Sequence, residues 1–243
     1  MTGMSEQATA RPHMKLTEDG RRLRQVLSYS RRGSRFTPSQ QEAWDAHHRD
    51  WVIPDEAVDE PGFSWAEVFG REAPLVIEIG PGVGEATGVL AAARPDCNVV
   101  AFEVWLPGVA AGLAEVAAAG ADNVRFCSVD AAWSLEHLVA PSSVRELWTF
   151  FPDPWPKTKH HKRRLVTPEF ARLVASRLEP GGVWRLATDW AAYAVQMRQV
   201  LDAEPGLEGG QVPRWAERPV TKFERKGVAV GREIVDLAYR RVG

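Results

Sequence analysis

Cysteine is nearly absent. Cys97 and Cys127 are the only two among 243 residues, and they form neither a CxxC pair nor a metal-ligand spacing, which excludes a disulfide framework and a zinc module. Both read as reduced packing residues. Also missing is any apolar run of the roughly 18 to 20 residues that would span a bilayer, and Met1–Arg11 is polar, without the apolar stretch of a secretory signal. The expectation is a cytoplasmic protein with no membrane partner. Net charge is small as well, −2, but it is unevenly spread. Residues 1–50 carry 9 basic and 6 acidic side chains, residues 51–150 carry 4 and 15, and residues 151–243 carry 17 and 11. A polyanion would be repelled by the middle and attracted to the two ends, provided the fold brings those ends together.

What is present is enough apolar material, 44 % of the chain, for one sizeable core. Residues 1–28 are polar with scattered basic side chains and no periodicity, which reads as a mobile tail. Residues 29–72 form an N-terminal extension, and Pro54, Pro61 and Gly62 lie in an acidic connecting loop within it. From residue 73 to 243 the pattern is regular. Apolar runs of strand length at Leu75–Ile79, Val99–Val104, Val124–Ser128, Leu147–Phe151 and Val183–Ala187 alternate with helical stretches near 85–93, 108–119, 132–139, 168–178 and 190–203. Such alternation predicts an α/β fold with a mostly parallel sheet. Thr167 and Asp189 are the expected caps of the last two helices. Strand-like runs at Pro219–Phe223 and Ile234–Tyr239 are the expected terminal pair at one sheet edge.

Gly80-Pro81-Gly82-Val83-Gly84 follows the first strand and opens a helix, where glycines let the backbone approach a nucleotide-like ligand. Two details argue against a dinucleotide: Glu85 stands where the third fingerprint glycine would be, and Glu78 lies inside the strand run. Glu103 ends the next strand, at a position from which a carboxylate can accept hydrogen bonds from ribose hydroxyls, and Asp130 follows the third. Three strand ends thus carry carboxylates beside the expected crevice. They repel a pyrophosphate and suit a cationic ribonucleoside; S-adenosylmethionine has a sulfonium, an ammonium and a ribose and no phosphate. The same acids would also serve as helix caps or solvated loop residues.

The fourth strand runs into Phe151-Pro152-Asp153-Pro154-Trp155-Pro156-Lys157, in which three prolines stiffen the backbone around one carboxylate and one large ring. Lys159, His160, His161, Lys162, Arg163 and Arg164 follow, a basic stretch that reads either as a phosphate-backbone contact or as a solvated charge run. The adjacent histidines have no third ligand at metal spacing, so no metal is expected.

The stretches Glu78-Ile79-Gly80, Phe102-Glu103-Val104, Phe151–Lys157, His161–Arg164, Leu186–Trp190 and Arg218–Glu224, with Arg31-Arg32 and Phe36–Gln41 upstream, resemble the bacterial tRNA (guanine-N7-)-methyltransferase family over roughly residues 28–241. The resemblance implies a Rossmann-like class I methyltransferase with a seven-stranded, mostly parallel sheet and helices on both faces. It implies methyl transfer from S-adenosylmethionine to N7 of the variable-loop guanine of tRNA, with another RNA or a small molecule as the alternative acceptor. Glu78, Gly80, Gly82, Glu103, Asp130 and Asp153 match cofactor positions, with Asp153 also matching the proposed catalytic residue. Lys157, Asp189, Thr221, Lys222, Phe223 and Glu224 match substrate-binding positions, and Lys159 to Arg164 the RNA-contacting stretch. The extension 29–72 would face the tRNA, and the working form would be a monomer or a homodimer. This chain departs from the family pattern in having Val104 and Trp105 after the cofactor glutamate, where a histidine is common, and Ala110 in place of a common glycine.

Overall fold

In the computed structural model the structure describes Gly33 and residues 35–59 and 62–243. The expected tail and the Arg31-Arg32 pair lie outside the described residues. The helices are α1 (Pro38–Trp51), α2 (Trp65–Phe69), α3 (Glu85–Ala92), α4 (Leu106–Ala118), α5 (Ala131–His137), α6 (Pro168–Arg177), α7 (Ala191–Asp202) and α8 (Lys222–Ala229). The strands are β1 (Leu75–Ile79), β2 (Asn98–Phe102), β3 (Val124–Cys127), β4 (Val144–Phe150), β5 (Leu178–Thr188), β6 (Leu207–Val212) and β7 (Val235–Arg241). Among the described residues no helix is long and apolar enough to cross a membrane.

The strands form one sheet in the order β3-β2-β1-β4-β5-β7-β6. β1 to β5 run parallel, β7 is antiparallel to β5, and β6 is antiparallel to β7. Every residue of β1 and β2 is buried, as a parallel strand covered on both faces requires. One face packs Ile77, Leu147, Trp184 and Leu186 with Phe170, Val174 and Tyr193 of α6 and α7. The other packs Val76, Val99 and Trp148 with Leu90 of α3 and Leu113 of α4.

The sequence pattern predicts no helix at α1, yet Thr37 and Gln40 make a reciprocal capping box there and Pro38 opens the first turn. Gln40 Nε2 donates to the Pro107 carbonyl at 2.9 Å and Trp105 Nε1 to the Gly33 carbonyl at 2.9 Å, so this segment docks at the start of α4. Two expectations are corrected. Pro219–Phe223 is not a strand: it is a loop that runs into α8, because Thr221 caps that helix by accepting the Glu224 N–H. The strand beside β7 is instead β6, Leu-Glu-Gly-Gly-Gln-Val, where a Cβ on Gly209 would run into the Ala238 carbonyl. Asp189 is not the cap of α7 either; Thr188 Oγ1 accepts the Trp190 N–H at 3.2 Å, and the Asp189 carboxylate accepts from Arg232 Nη1 at 2.7 Å. Thr167 does cap α6, accepting the Phe170 N–H.

Candidate active site

The strand order reverses between β1 and β4, and a cleft opens beyond the C-terminal ends of β1 to β4, the crevice where open α/β sheets take ligands. Gly80, Gly82 and Gly84 have φ of 69°, 65° and 82°, a region that side chains rarely adopt. No heavy atom lies within 4 Å of where a Gly80 Cβ would stand, and at Gly82 the nearest is the Phe223 ring at 3.6 Å. Behind the loop there is no such room: a Cβ on Gly84 would sit 2.6 Å from Gly112 Cα of α4. The backbone is therefore pressed onto its helix and open toward the cleft.

Carboxylates wall that cleft. Glu78 is buried and its Oε2 accepts from Thr87 Oγ1 at 2.6 Å. Burial pushes its carboxyl up to about 7, against the opposing hydrogen bond from Thr87, and the charge of Glu103 adds to the rise. Glu103 Oε2 accepts the Gly82 N–H at 3.0 Å and its Oε1 the Trp105 N–H at 2.8 Å. These two contacts hold the group at the cleft wall. Asp130 caps α5, its Oδ1 accepting from Ala132 and Trp133 at 3.0 and 3.1 Å, and it lines the cleft as well. With an apolar floor of Ile79, Phe102 and Phe150, an open glycine backbone and acidic walls, these residues fit S-adenosylmethionine.

At the cleft mouth, Phe151 and Trp155 hold φ of 52° and 44°. Both precede prolines and neither is glycine, so the loop carrying Asp153 is strained at two points. Asp153 is exposed and lines the cleft, as does Trp155, whose ring has His160 edge-on at 5.9 Å and the Arg163 guanidinium over it at 5.2 Å. The basic stretch is a short 3-10 helix, Thr158–Arg163, on which Lys159 and Lys162 are exposed and His160, His161 and Arg163 half-buried; Lys157 precedes it, also exposed. Arg164 departs from the expectation of an RNA contact. It is buried, at 4 % exposure, and donates from Nε to the Pro154 carbonyl at 2.8 Å and from Nη1 to Gln196 Oε1 at 2.5 Å.

α8 closes the other wall. Thr221 and Phe223 line the cleft and Lys222 is exposed on its rim. Glu224, expected to contact substrate, is instead turned into the fold, where it meets Arg214 at 2.7 Å and Arg218 at 2.5 Å. Burial alone would raise its carboxyl, but these two arginines hold it below its ordinary value. Glu85, read from the sequence only as a missing glycine, joins the two walls: it accepts the Lys222 N–H at 2.5 Å and pairs with Arg225 at 2.8 Å. No sequence spacing announces this contact, because its partners lie on an element at the far end of the chain.

A family model described as "Putative methyltransferase" matches residues 72–237. The tRNA (guanine-N(7)-)-methyltransferase of Nocardioides sp. is 70 % identical to this chain over 96 % of it and 94 % of the relative. That of Cutibacterium acnes is 46 % identical over 99 % of this chain and 91 % of the relative. The chain belongs to the tRNA (guanine-N(7)-)-methyltransferase family. Among solved structures, a 16S rRNA methyltransferase, KamB, superposes with a TM-score of 0.54 over 75 % of this chain and 94 % of that one at 17 % identity, a likeness of fold. For a member of this methyltransferase family, the carboxylates Glu78, Glu103 and Asp130 and the Asp153 loop share one cleft. Asp189 does not line it, and its carboxylate is held by Arg232, whose guanidinium also stacks on Trp190 at 4.8 Å.

Proposed function

We propose that this protein, in the cytoplasm, methylates N7 of the variable-loop guanine of tRNA, with S-adenosylmethionine as donor and Asp153 as the acid that meets the acceptor base. The observation that supports the reading is the strained loop at the cleft mouth. It sets one carboxylate between an acid-walled ribonucleoside cleft and a basic 3-10 helix. Bound S-adenosylmethionine supplies an activated methyl group on a sulfonium. Gly80 and Gly82 would let it approach the backbone, Glu103 and Asp130 would accept from its polar groups, and Glu78, once ionised, would offset its positive charge. Guanine N7 has a lone pair and no proton, so the protein's task is alignment rather than proton removal. Asp153 accepts a guanine N–H and offsets the positive charge that builds on the purine, and Trp155 and Phe223 offer ring faces beside it.

Asp153→Asn is the test. It keeps shape and removes charge, and the single-turnover rate at saturating tRNA and cofactor is expected to fall by ~100-fold, the scale of losing one well-placed electrostatic contact. A full rate in this variant would refute the role given to Asp153.

The remaining cations carry affinity. Lys157, Lys159 and Lys162 are exposed, on and just before the 3-10 helix whose Arg163 lines the cleft, with His160 and His161 beside them, and their targets are phosphates. Replacing the three lysines with alanine is expected to flatten the slope of log K against log salt for tRNA binding by about 2, at roughly 0.7 per phosphate contact on single strands. An unchanged slope would remove this edge from the interface.

A further inference from the structure

Arg164 is a buried guanidinium whose contacts, all among the described residues, are neutral. Nε holds the Pro154 carbonyl, Nη1 holds Gln196 of α7, and the guanidinium carbon lies 4.8 Å from the centre of the Tyr193 ring, also on α7. Tyr193 is in turn fixed from behind, its hydroxyl accepting the Val166 N–H at 3.1 Å. Burying a cation without a carboxylate is costly, and burial lowers the pKa of this one. A packed apolar side chain would stabilise the fold at least as well, so the cost has to be explained by position.

The position is immediately behind the reacting loop. Pro154 follows Asp153 directly, and the loop between Phe151 and Trp155 is strained at both ends. Strain of this kind persists only where the surroundings over-determine the backbone, and the hydrogen bond from Arg164 to Pro154 ties that loop to a helix. Burial pushes the Tyr193 hydroxyl up to about 12, and the charge of Asp153 adds to the rise. We infer that Arg164 is a positioning residue that fastens the Asp153 loop to α7 and so sets where the Asp153 carboxylate stands when the acceptor base arrives. The inference rests on the proposed role of Asp153.

The experiment compares wild type, Arg164→Met, Arg164→Ala and Asp153→Asn in single turnover with unmodified tRNA and labelled S-adenosylmethionine, alongside binding and thermal melting. Arg164→Met is expected to melt no lower than wild type and to lose ~30- to 100-fold in rate at saturation, the scale of a 1 Å misplacement. Its tRNA affinity should stay within about threefold and its salt slope should not change. Arg164→Ala leaves a guanidinium-shaped space, and free methylguanidinium is expected to restore its rate several-fold. Should both variants be too unstable, Gln196→Leu, which removes the guanidinium's hydrogen bond to α7 and leaves its stacking on Tyr193, is expected to lose several-fold in rate while still melting near wild type. A full saturated rate in Arg164→Met, or in Gln196→Leu if that variant stands in for it, overturns the inference, as does a rate loss that tracks a fall in melting temperature with no rescue. A tRNA-affinity loss with unchanged saturated rate would make Arg164 an RNA contact instead. A full rate in Asp153→Asn with a slow Arg164→Met would defeat the role of Asp153 and leave the loop anchor standing.

Discussion

Arg218→Ala is expected to destabilise the protein by about 3–5 kcal/mol, the cost of leaving buried carboxylates without their cation. The Arg218 side chain is wholly buried; it meets Glu224 at 2.5 Å and Asp236 at 2.9 Å, and its guanidinium lies 5.3 Å from the centre of the Phe151 ring. One side chain therefore ties α8, β7 and the root of the Asp153 loop together. For a chain of this length the loss corresponds to a melting temperature lower by on the order of 10 °C. A pH dependence follows from Glu224, whose carboxyl is held below its ordinary value by Arg214 and Arg218. Its contribution is present above the unfolded-state value of about 4.5 and is lost as pH falls through the lower folded-state value. Removing Arg218 should shrink that acid-side loss. Urea melts at pH 7 and pH 4 check both statements, and a destabilisation under about 1 kcal/mol at pH 7 would contradict the first.

Glu78→Gln is expected to do the opposite to the cofactor-free protein. The Glu78 carboxyl rises from an ordinary 4.5 to about 7 on folding, so the folded state holds its proton where the unfolded state has released it. Stability from this group is thus lost as pH rises from about 4.5 to 7, and at about 1.4 kcal/mol per unit the loss by pH 8 is on the order of 3 kcal/mol. Glutamine keeps an acceptor for Thr87 and cannot ionise. The variant should match wild type near pH 5 and exceed it by roughly that amount at pH 8. It should also bind S-adenosylmethionine ~10- to 100-fold more weakly, the worth of a charge-assisted hydrogen bond. In wild type, cofactor affinity should decline below pH 7 as the carboxyl keeps its proton. Thermal melts at the two pH values, with calorimetric titration of the cofactor, test this; a variant less stable than wild type at pH 8 would overturn it. The fold retains a destabilising acid at its ligand site, a trade-off that enzymes often make.

The sheet was readable from sequence because its strands are short apolar runs separated by helices, and β1 is Leu75–Ile79 in both views. The C-terminal part was not. Leu207–Val212 contains two glycines and low strand propensity and becomes a strand by pairing with β7, while Val220 and Phe223 lie in a strand-like run whose Thr221 cap turns it into a helix. Tertiary context overrode local preference in both places. At the site, the placement that depends on local geometry was legible: the glycines of the cradle and the carboxylates at strand ends line the cleft. The contact roles that the resemblance implies for Arg164 and Glu224 do not show where these side chains sit, since their burial depends on partners on other elements: Gln196 for Arg164, and Arg214 and Arg218 for Glu224. Glu85 was hidden for the same reason, its partners lying at Lys222 and Arg225.

This cleft is expected to methylate N7 of a tRNA guanine. The most direct measurement incubates the purified protein with labelled S-adenosylmethionine and unmodified tRNA, digests the RNA, and locates the methylated nucleoside by mass spectrometry. N7-methylguanosine in the variable loop is the result expected, and its yield should collapse in Asp153→Asn. Cofactor binding without N7-methylguanosine, or a methyl group on another base, would contradict the claim.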